Sequence, residues 1–486
     1  MVAPHYDLLV VGGGINGAGI ARDAAGRGLS VLLAEKGDLG AATSSASSKL
    51  IHGGLRYLEQ YEFRLVAESL AEREILLGVA AHLTSPLRFV MPHVPELRPR
   101  WMIRLGLFLY DHLARRSLLP GSRRVRLDAP PYADGLRPQL QYGFLYSDCA
   151  VDDARLVVAN ALDSSARGAR LLVRTELLSA QREEGTWRAR LSNGEEVCAR
   201  AIVNASGPWV KRVLNERLGQ PSADEVRLVQ GSHIVVPRRY QGEHAFILQN
   251  DDRRVIFMIP FEERFTLIGT TDVPVHGDPA NVRASDGEVA YLCRAASRYL
   301  ARALEPSEVI WRYAGVRPLY DDGARDPSAI TRDYTLRLDD AKGAAPVLSV
   351  FGGKLTTYRR LAEHALEKLR PYFPHLKGEW TGRTPLPGSD FASREEARRE
   401  VFSRYRALPV PVVEGAFRRH GALSSEVLGD GITGEHYGAG LTERELRYFV
   451  EREYAGSADD VLWRRSKAGL HLDARQRARV AEAIGR

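Results

Sequence analysis

The sequence predicts an α/β protein: an N-terminal parallel sheet, a second and largely antiparallel sheet set into it, and a helical C-terminal region. Three observations carry this prediction. Residues 7–11 (DLLVV), 12–28 and 30–34 (SVLLA) read as strand, glycine turn with helix, and strand, the βαβ unit of a parallel sheet. Residues 227–274 alternate apolar and polar positions through SHIVV, FILQN, RVIFMIP and FTLIGTTD, the pattern of antiparallel strands. After Pro385 and Pro387 the composition turns to Arg/Glu-rich helical segments.

The remaining elements follow in order. Residues 40–56 are rich in Ser, Ala and Gly and read as a long functional loop. Residues 63–80 carry a helical pattern, and Pro86, Pro92, Pro95 and Pro99 mark a break after it. Residues 101–113 are mostly apolar, interrupted by Arg104, and too short to span a bilayer; they read as a core or an interfacial helix. A helix over 151–167 is entered at Asp152 and Asp153. The strand 201–204 runs into Ser206-Gly207-Pro208, and the strand 347–351 runs into Gly352-Gly353 and a helix to residue 369. No repeat or low-complexity tract interrupts this order.

Composition narrows the class of protein. A chain of 486 residues with 44% hydrophobic content predicts roughly two to four domains with ample core. Cys149, Cys198 and Cys293 are the only cysteines and form no CxxC pair, which excludes a disulfide scaffold and a cysteine-based zinc or iron–sulfur site. No metal site is expected. The sequence holds no apolar run long enough to span a membrane and no signal-peptide pattern, so a cytoplasmic location, or the membrane face touching the cytoplasm, is expected. Residues 98–126 hold eight arginines against the single Asp111, an excess equal to the whole chain's net charge of +7. Such a cluster suits anionic lipid, nucleic acid or an anionic substrate, or is simply solvated.

The strongest local motif is Gly12-x-Gly14-x-x-Gly17, placed between strand and helix. Gly12 allows the tight turn, Gly14 the approach of a pyrophosphate, and Gly17 close helix–sheet packing. The helix N-terminus adds N–H groups and positive partial charge. Glu35, ending the second strand, suits the free hydroxyls of an adenosine ribose and repels a 2′-phosphate, which points to FAD or NAD and away from NADP. No second strand-GxGxxG-helix unit exists, since 431–440 follows no strand; this disfavours nicotinamide as a second cofactor.

Longer motifs then become recognisable. TSSASSKLIHGGLRYLEQYEF (43–63), SDCAVDDARLV (147–157), VNASGPWV (203–210), QGSHIVVP (230–237), IGTTD (268–272), GVRPL (315–319), ITRDY (330–334) and FGGKLTTYRRLAEHALEKL (351–369) resemble bacterial FAD-dependent sn-glycerol-3-phosphate dehydrogenases. The resemblance runs from about residue 6 to about residue 483, and the wider family is that of the glycine/D-amino-acid oxidase-like flavoproteins. It implies a Rossmann-like FAD domain made of residues 1–95, 145–225 and 340–375, a substrate domain of 96–144 and 226–339, and a helical cap of 388–486.

The resemblance also implies site residues. FAD contacts are expected from Gly12, Gly14, Asn16, Gly17 and Glu35, from Thr43, Ser44, Ser47, Ser48, Lys49 and Leu50, and from His52 and Gly53. Further contacts are expected from Gly207 and Trp209, and from Gly352, Gly353, Lys354, Leu355, Thr356 and Thr357, where a helix N-terminus would stabilise negative charge. Arg317 and Arg332 resemble phosphate-binding positions, matching phosphate oxygens bidentately; Arg56, Tyr57, Thr270, His233 and Lys354 resemble further substrate contacts. Oxidation of an alcohol needs a base poised near neutral pH, which favours histidine. His233 in the substrate sheet is the preferred base, with His52 and Asp272 as alternatives and Lys354 as the cation near the reacting centre.

The implied reaction is hydride transfer from C2 of sn-glycerol 3-phosphate, giving dihydroxyacetone phosphate, with electrons passed to ubiquinone at the cytoplasmic face of the inner membrane and a homodimer as the assembly. An oxygen-dependent glycerol-phosphate oxidase and an amine or amino-acid oxidase of the same fold are the alternatives. Two segments read as basic amphipathic helices for an anionic membrane surface: 101–110, and the apolar stripe of Leu361, Ala365, Leu366 and Leu369 flanked by Arg359, Arg360, Lys368 and Arg370. A nucleic-acid partner is not expected, because the arginine cluster carries no recognisable reading motif.

Overall fold

The computed structural model describes residues 3–485 apart from 95, 116–117, 223, 253 and 322–332. Its first sheet has eight strands. The central run is parallel: Val347–Phe351, Glu196–Asn204, His5–Val11, Val31–Glu35 and Arg170–Val173, in that spatial order. Thr335–Asp339 closes one edge antiparallel, and the hairpin Leu177–Glu183/Thr186–Leu191 extends Glu196–Asn204. His5–Val11 is the buried middle strand, with Val10 opposite Leu33 and Val203, so it reads as the continuous apolar run expected of a sheet covered on both faces.

Helices α1 (Ile15–Gly26), α2 (Phe63–Val79), α3 (Arg100–His112), α4 (Asp153–Ala166), α5 (Asp286–Ser297) and α6 (Tyr358–Leu369) are the longest outside the C-terminal region. α1 is so rich in Gly and Ala that α4 and α6 pack directly upon it. α4 begins where the paired aspartates suggest, the Asp152 side chain accepting the Arg155 N–H at 3.1 Å as an N-cap. Arg22 of α1 and Arg27 just after it are buried in this packing, Arg22 against Asp163 at 2.6 Å and Arg27 against Asp23 at 2.9 Å.

The second sheet has ten strands. Val226–Pro237 is its long central member, pairing with Phe265–Gly269 on one side and Trp311–Tyr320 on the other. Val255–Phe261 and Ala245–Gln249 continue it antiparallel, as the alternation predicts, but Ala245–Gln249 then runs parallel to Thr84–Pro92. Thr84–Pro92 lies where the prolines predict a break. Pro86 and Pro92 fall outside its short pairing with 245–246, so their missing N–H groups cost that ladder nothing.

The expected domain division does not follow the sheets. It puts Thr84–Pro92 in the first domain and splits Tyr142–Val151 at residue 145, yet the two strands pair with each other in the second sheet; it puts Thr335–Asp339 in the second domain, yet that strand belongs to the first sheet. Helix α6 is also not a surface helix. Leu361, Ala365, Leu366 and Leu369 are fully buried in the core of the first domain, and Arg359 is buried against Glu72 and Glu363. The apolar stripe that suggests membrane contact is therefore turned inward, and only Lys368, Arg360 and Arg370 of its flanking cations reach solvent. No helix among the described residues is long and apolar enough to cross a membrane.

Candidate functional site

A cavity of about 950 Å³ runs from the first turn of α1, past the loop 40–57, to the face of the second sheet. At the α1 end the glycines act through backbone geometry. Gly12 has φ +108°, and a Cβ on Gly17 would stand 1.9 Å from the Gly12 carbonyl oxygen, so helix and strand approach as only glycine permits. Gly17 therefore supports the site from behind, while Gly12, Gly14 and Asn16 line it. The N-cap Gly14 brings no side-chain cap and the first turn no acid, which leaves the positive helix end open to an anion.

Glu35 lines the same end, its two oxygens accepting the N–H groups of Gly13 and Gly37, each at 2.6 Å. Burial pushes its carboxyl above the usual range against the pull of those two N–H groups. Each oxygen retains a lone pair for a ligand hydroxyl.

The loop 43–50 forms one wall. Thr43, Ser44, Ser47, Ser48 and Leu50 line the cavity. Ser44 Oγ accepts the Ile15 N–H at 3.0 Å and Thr43 Oγ1 donates to the Val316 carbonyl at 2.6 Å, tying the loop to α1 and to the second sheet. Lys49 is not in the wall. Its Nζ turns inward to both oxygens of Asp153 at 2.9 Å and to the Ser45 carbonyl, and burial lowers its pKa. Gly53 and Thr357 also sit behind the lining, whereas Gly207, Trp209, Gly352, Gly353, Leu355 and Thr356 reach it.

At the far end lie His52, Arg56, Tyr57, His233, Thr270, Asp272, Arg317 and Lys354, so the structure brings together eight of the expected substrate-side residues. Arg332 lies outside the described residues. Arg317 is ion-paired with Asp272 and donates from Nη2 to the Thr271 carbonyl at 2.9 Å and Thr270 Oγ1 at 3.2 Å. Asp272 is thus committed to a guanidinium, which suits an orienting role better than a base. Lys354 Nζ stands 3.9 Å over the Tyr57 ring. His233 is buried, stacked 4.9 Å from Tyr313, with Nε2 2.9 Å from Ser48 Oγ. Burial, then the Lys49 and Arg317 cations, hold its pKa well below the ordinary imidazole value, so the ring is neutral at neutral pH.

Sequence reading missed the aromatic enclosure. Tyr146, Phe257, Trp311, Tyr313 and Trp463 line this end. Trp463 belongs to the C-terminal region and stacks on Trp311 with centroids 4.7 Å apart; the next residues, Arg464 and Arg465, bind Asp38 in the loop after Val31–Glu35 at 2.6 and 2.7 Å. The C-terminal region therefore closes the cavity and clasps its dinucleotide end, although no sequence motif marks these residues. The donor set at the α1 end suits a dinucleotide: an open helix N-terminus, a ribose-reading carboxylate, and an Asn16 Oδ1 buried without a partner.

Residues 7–359 match the family of FAD dependent oxidoreductases. The chain belongs to that family. Its cofactor is FAD, for which the residues just described provide the cradle. Residues 380–486 of this flavoprotein match the C-terminal domain of alpha-glycerophosphate oxidase. The chain is 52% identical to a glycerol-3-phosphate dehydrogenase of Pseudomonas aeruginosa, covering 99% of this chain and 96% of that protein. It is 51% identical to the aerobic glycerol-3-phosphate dehydrogenase of Escherichia coli (98% and 96%), and 48% identical to a D-erythritol 1-phosphate dehydrogenase of Brucella abortus (98% and 97%). Among solved structures it is similar to the glycerol-3-phosphate dehydrogenase of Bacillus halodurans complexed with FAD, with TM-score 0.73 and 26% identity over 99% of this chain and 94% of that one.

Proposed function

We propose that this flavoprotein oxidises sn-glycerol 3-phosphate at C2 to dihydroxyacetone phosphate and passes the electrons to ubiquinone at an anionic membrane surface, working as a homodimer. The observation that carries the substrate is the convergence of Arg56, Arg317 and Lys354 on one end of the cavity beside a neutral His233. Three cations suit a phosphate dianion, and an enclosed aromatic wall strengthens their pull by excluding water. An anionic substrate must compete with Asp272 for Arg317, which favours a dianion over a single carboxylate. The identities of 52% and 51% to the glycerol-3-phosphate dehydrogenases support the same substrate.

Bound FAD supplies the acceptor for the C2 hydride. The chain's own residues bind and orient the phosphate, and His233 takes the hydroxyl proton, since one nitrogen of its neutral ring remains a proton acceptor. Because the His233 pKa is lowered, the base form persists as pH falls, and the acid limb of kcat/KM is expected below about 6.5, the ordinary imidazole value. In His233→Asn this limb disappears and kcat/KM falls by about 10²–10⁴.

The membrane reading rests on α3. Trp101, Met102, Leu105 and Phe108 are all exposed, Trp101 at 65% and Phe108 at 57%, along a helix flanked by the exposed Arg100, Arg104 and Arg115. Apolar residues outward with arginines beside them suit anionic lipid.

The deciding experiment is anaerobic reduction of the purified flavoprotein. Bleaching of the flavin by sn-glycerol 3-phosphate, restored faster by a ubiquinone analogue than by oxygen, is expected. Faster restoration by oxygen makes the protein an oxidase. Preference for D-erythritol 1-phosphate moves the substrate to longer polyol phosphates, and bleaching by amino acids or sarcosine alone overturns the phosphate site.

A further inference from the structure

Helix α3 has an inner side as well as an outer one. Tyr110, in its last turn, is buried, and its phenolic oxygen accepts the Gly53 N–H at 2.8 Å. The same oxygen lies 2.7 Å from both carboxylate oxygens of Asp148, and Asp148 Oδ1 accepts from Arg73 Nη1 at 2.8 Å. Burial pushes the Tyr110 phenol well above its ordinary pKa, so it keeps its proton. The hydroxyl therefore donates to Asp148 and accepts from Gly53 at once. A Cβ on Gly53 would stand 2.7 Å from the Tyr110 oxygen and 2.5 Å from Leu70, so the loop backbone is pressed onto this network.

Gly53 sits between two parts of the site. Before it, the His52 N–H donates to Thr356 Oγ1 at 3.2 Å. After it, Gly54 turns the chain with φ +78° into the 3₁₀ segment Leu55–Gln60, which packs against α3 and carries Arg56 and Tyr57. The Tyr57 N–H donates to the Gly54 carbonyl at 2.8 Å, and the Tyr57 ring underlies Lys354.

We propose that Tyr110 is a positioning residue for substrate binding: through the Gly53 N–H it fixes the loop that presents Arg56 and Tyr57, and with them Lys354, to the phosphorylated substrate. The proposal rests on the reading of these three residues as the substrate's binding site. Removing the hydroxyl leaves the Gly53 N–H only the longer contact to Asp148 Oδ1, 3.3 Å away, so the peptide turns toward it and the loop moves. The lost hydrogen bond acts on where the cations stand, and not on the cofactor cradle, which none of the three buried side chains lines.

The test is Tyr110→Phe in the full-length holoenzyme. KM for sn-glycerol 3-phosphate is expected to rise about tenfold, a typical hydrogen-bond effect at a charged site, with kcat within about twofold and flavin content unchanged. The dissociation constant of dihydroxyacetone phosphate, read from its perturbation of the flavin spectrum, should rise in parallel. Combination with Tyr57→Ala should be less than additive, since both act on one loop. An unchanged KM and product affinity, or strict additivity, overturns the proposal. So does a change confined to melting temperature and flavin content, which a purely structural role would give. Should Tyr110→Phe fail to accumulate as holoenzyme, Gly53→Ala disturbs the same contact from the loop side and must raise KM in the same way. If Arg56→Ala and Lys354→Ala leave KM unchanged, the substrate reading has failed; if they raise it and Tyr110→Phe does not, the positioning role has failed.

Discussion

Helices α3 and α6 look alike as sequences: about three turns each, with an apolar stripe and arginines beside it. The structure gives them opposite surroundings. α6 lies against α1 in the core; Leu361, Ala365 and Leu366 are wholly buried, and Arg359 is held by Glu72 and Glu363. α3 buries Ile103, Leu107 and Tyr110 but leaves Trp101, Met102, Leu105 and Phe108 in solvent. The difference lies in the partners available to the arginines. Carboxylates from α2 and from α6 itself meet Arg359, whereas α3 offers only Asp111, which is bonded to Ser122. An amphipathic helix whose cations find buried carboxylates is a core helix; α3 instead turns an apolar side outward beside the exposed Arg100 and Arg104, the arrangement on which the proposed membrane contact rests.

The comparison breaks most sharply at Arg359. Arg359→Ala leaves Glu72 and Glu363 buried without their shared cation, and a loss of about 3–5 kcal/mol in unfolding free energy is expected. Denaturant unfolding of the holoenzyme reads it. A loss below about 1 kcal/mol would mean that α6 behaves as a surface helix after all.

The next test is on α3. The combined variant Trp101→Ser, Leu105→Ser, Phe108→Ser should lower partition into anionic vesicles by about a hundredfold while each change alters solution stability by no more than about 0.5 kcal/mol. Cosedimentation and thermal unfolding measure the two. Unchanged partition, with a shift in sedimentation instead, would assign this face to a second copy of the chain. A smaller effect is expected from Arg104→Gln: about 1 kcal/mol, roughly fivefold in partition, confined to anionic vesicles and suppressed by salt.

These two helices also show what sequence can reveal. The Rossmann unit was legible because its constraints are local: Gly12, Gly14, Gly17 and Glu35 act within one βαβ turn, and the observed strands and α1 fall where their spacing puts them. The expected substrate-side residues come from long motifs, and the structure gathers His233 and Arg317, from within two paired strands, and Lys354, just after a third, into one cavity. What stayed hidden depends on tertiary partners. Nothing near Lys49 in the chain announces Asp153, which draws its side chain out of the cavity wall. Nothing near Trp463 announces Trp311, and nothing near Arg359 announces Glu72. The strand Thr84–Pro92 was obscured because its prolines are tolerated only by a pairing pattern that the sequence does not display.

The finest distinction between the helices is their response to acid. In the last turn of α6, Glu367 accepts from Arg370 at 2.8 Å and from the buried Arg27, the residue that ends α1, at 2.8 Å. The Arg370 contact first, then that of Arg27, lowers its pKa from 4.5 to about 2. A carboxyl whose folded value lies below its unfolded one adds stability above the unfolded value and loses it as pH falls through the folded value. The clasp between α6 and α1 should therefore weaken from about pH 4.5 toward 2. Glu367 is partly exposed, so solvent screening holds the effect below about 1 kcal/mol. Urea midpoints of the parent and of Glu367→Gln should converge as pH falls from 5 toward 3, the variant having already lost the ionised contact. Attachment of α3 to vesicles of constant charge should not change over the same range, because the Glu367 contacts join α6 to the end of α1 and do not reach α3. A vesicle partition that fell in step with the urea midpoint would show that α3 depends on the α6 packing and that the two helices act as one unit.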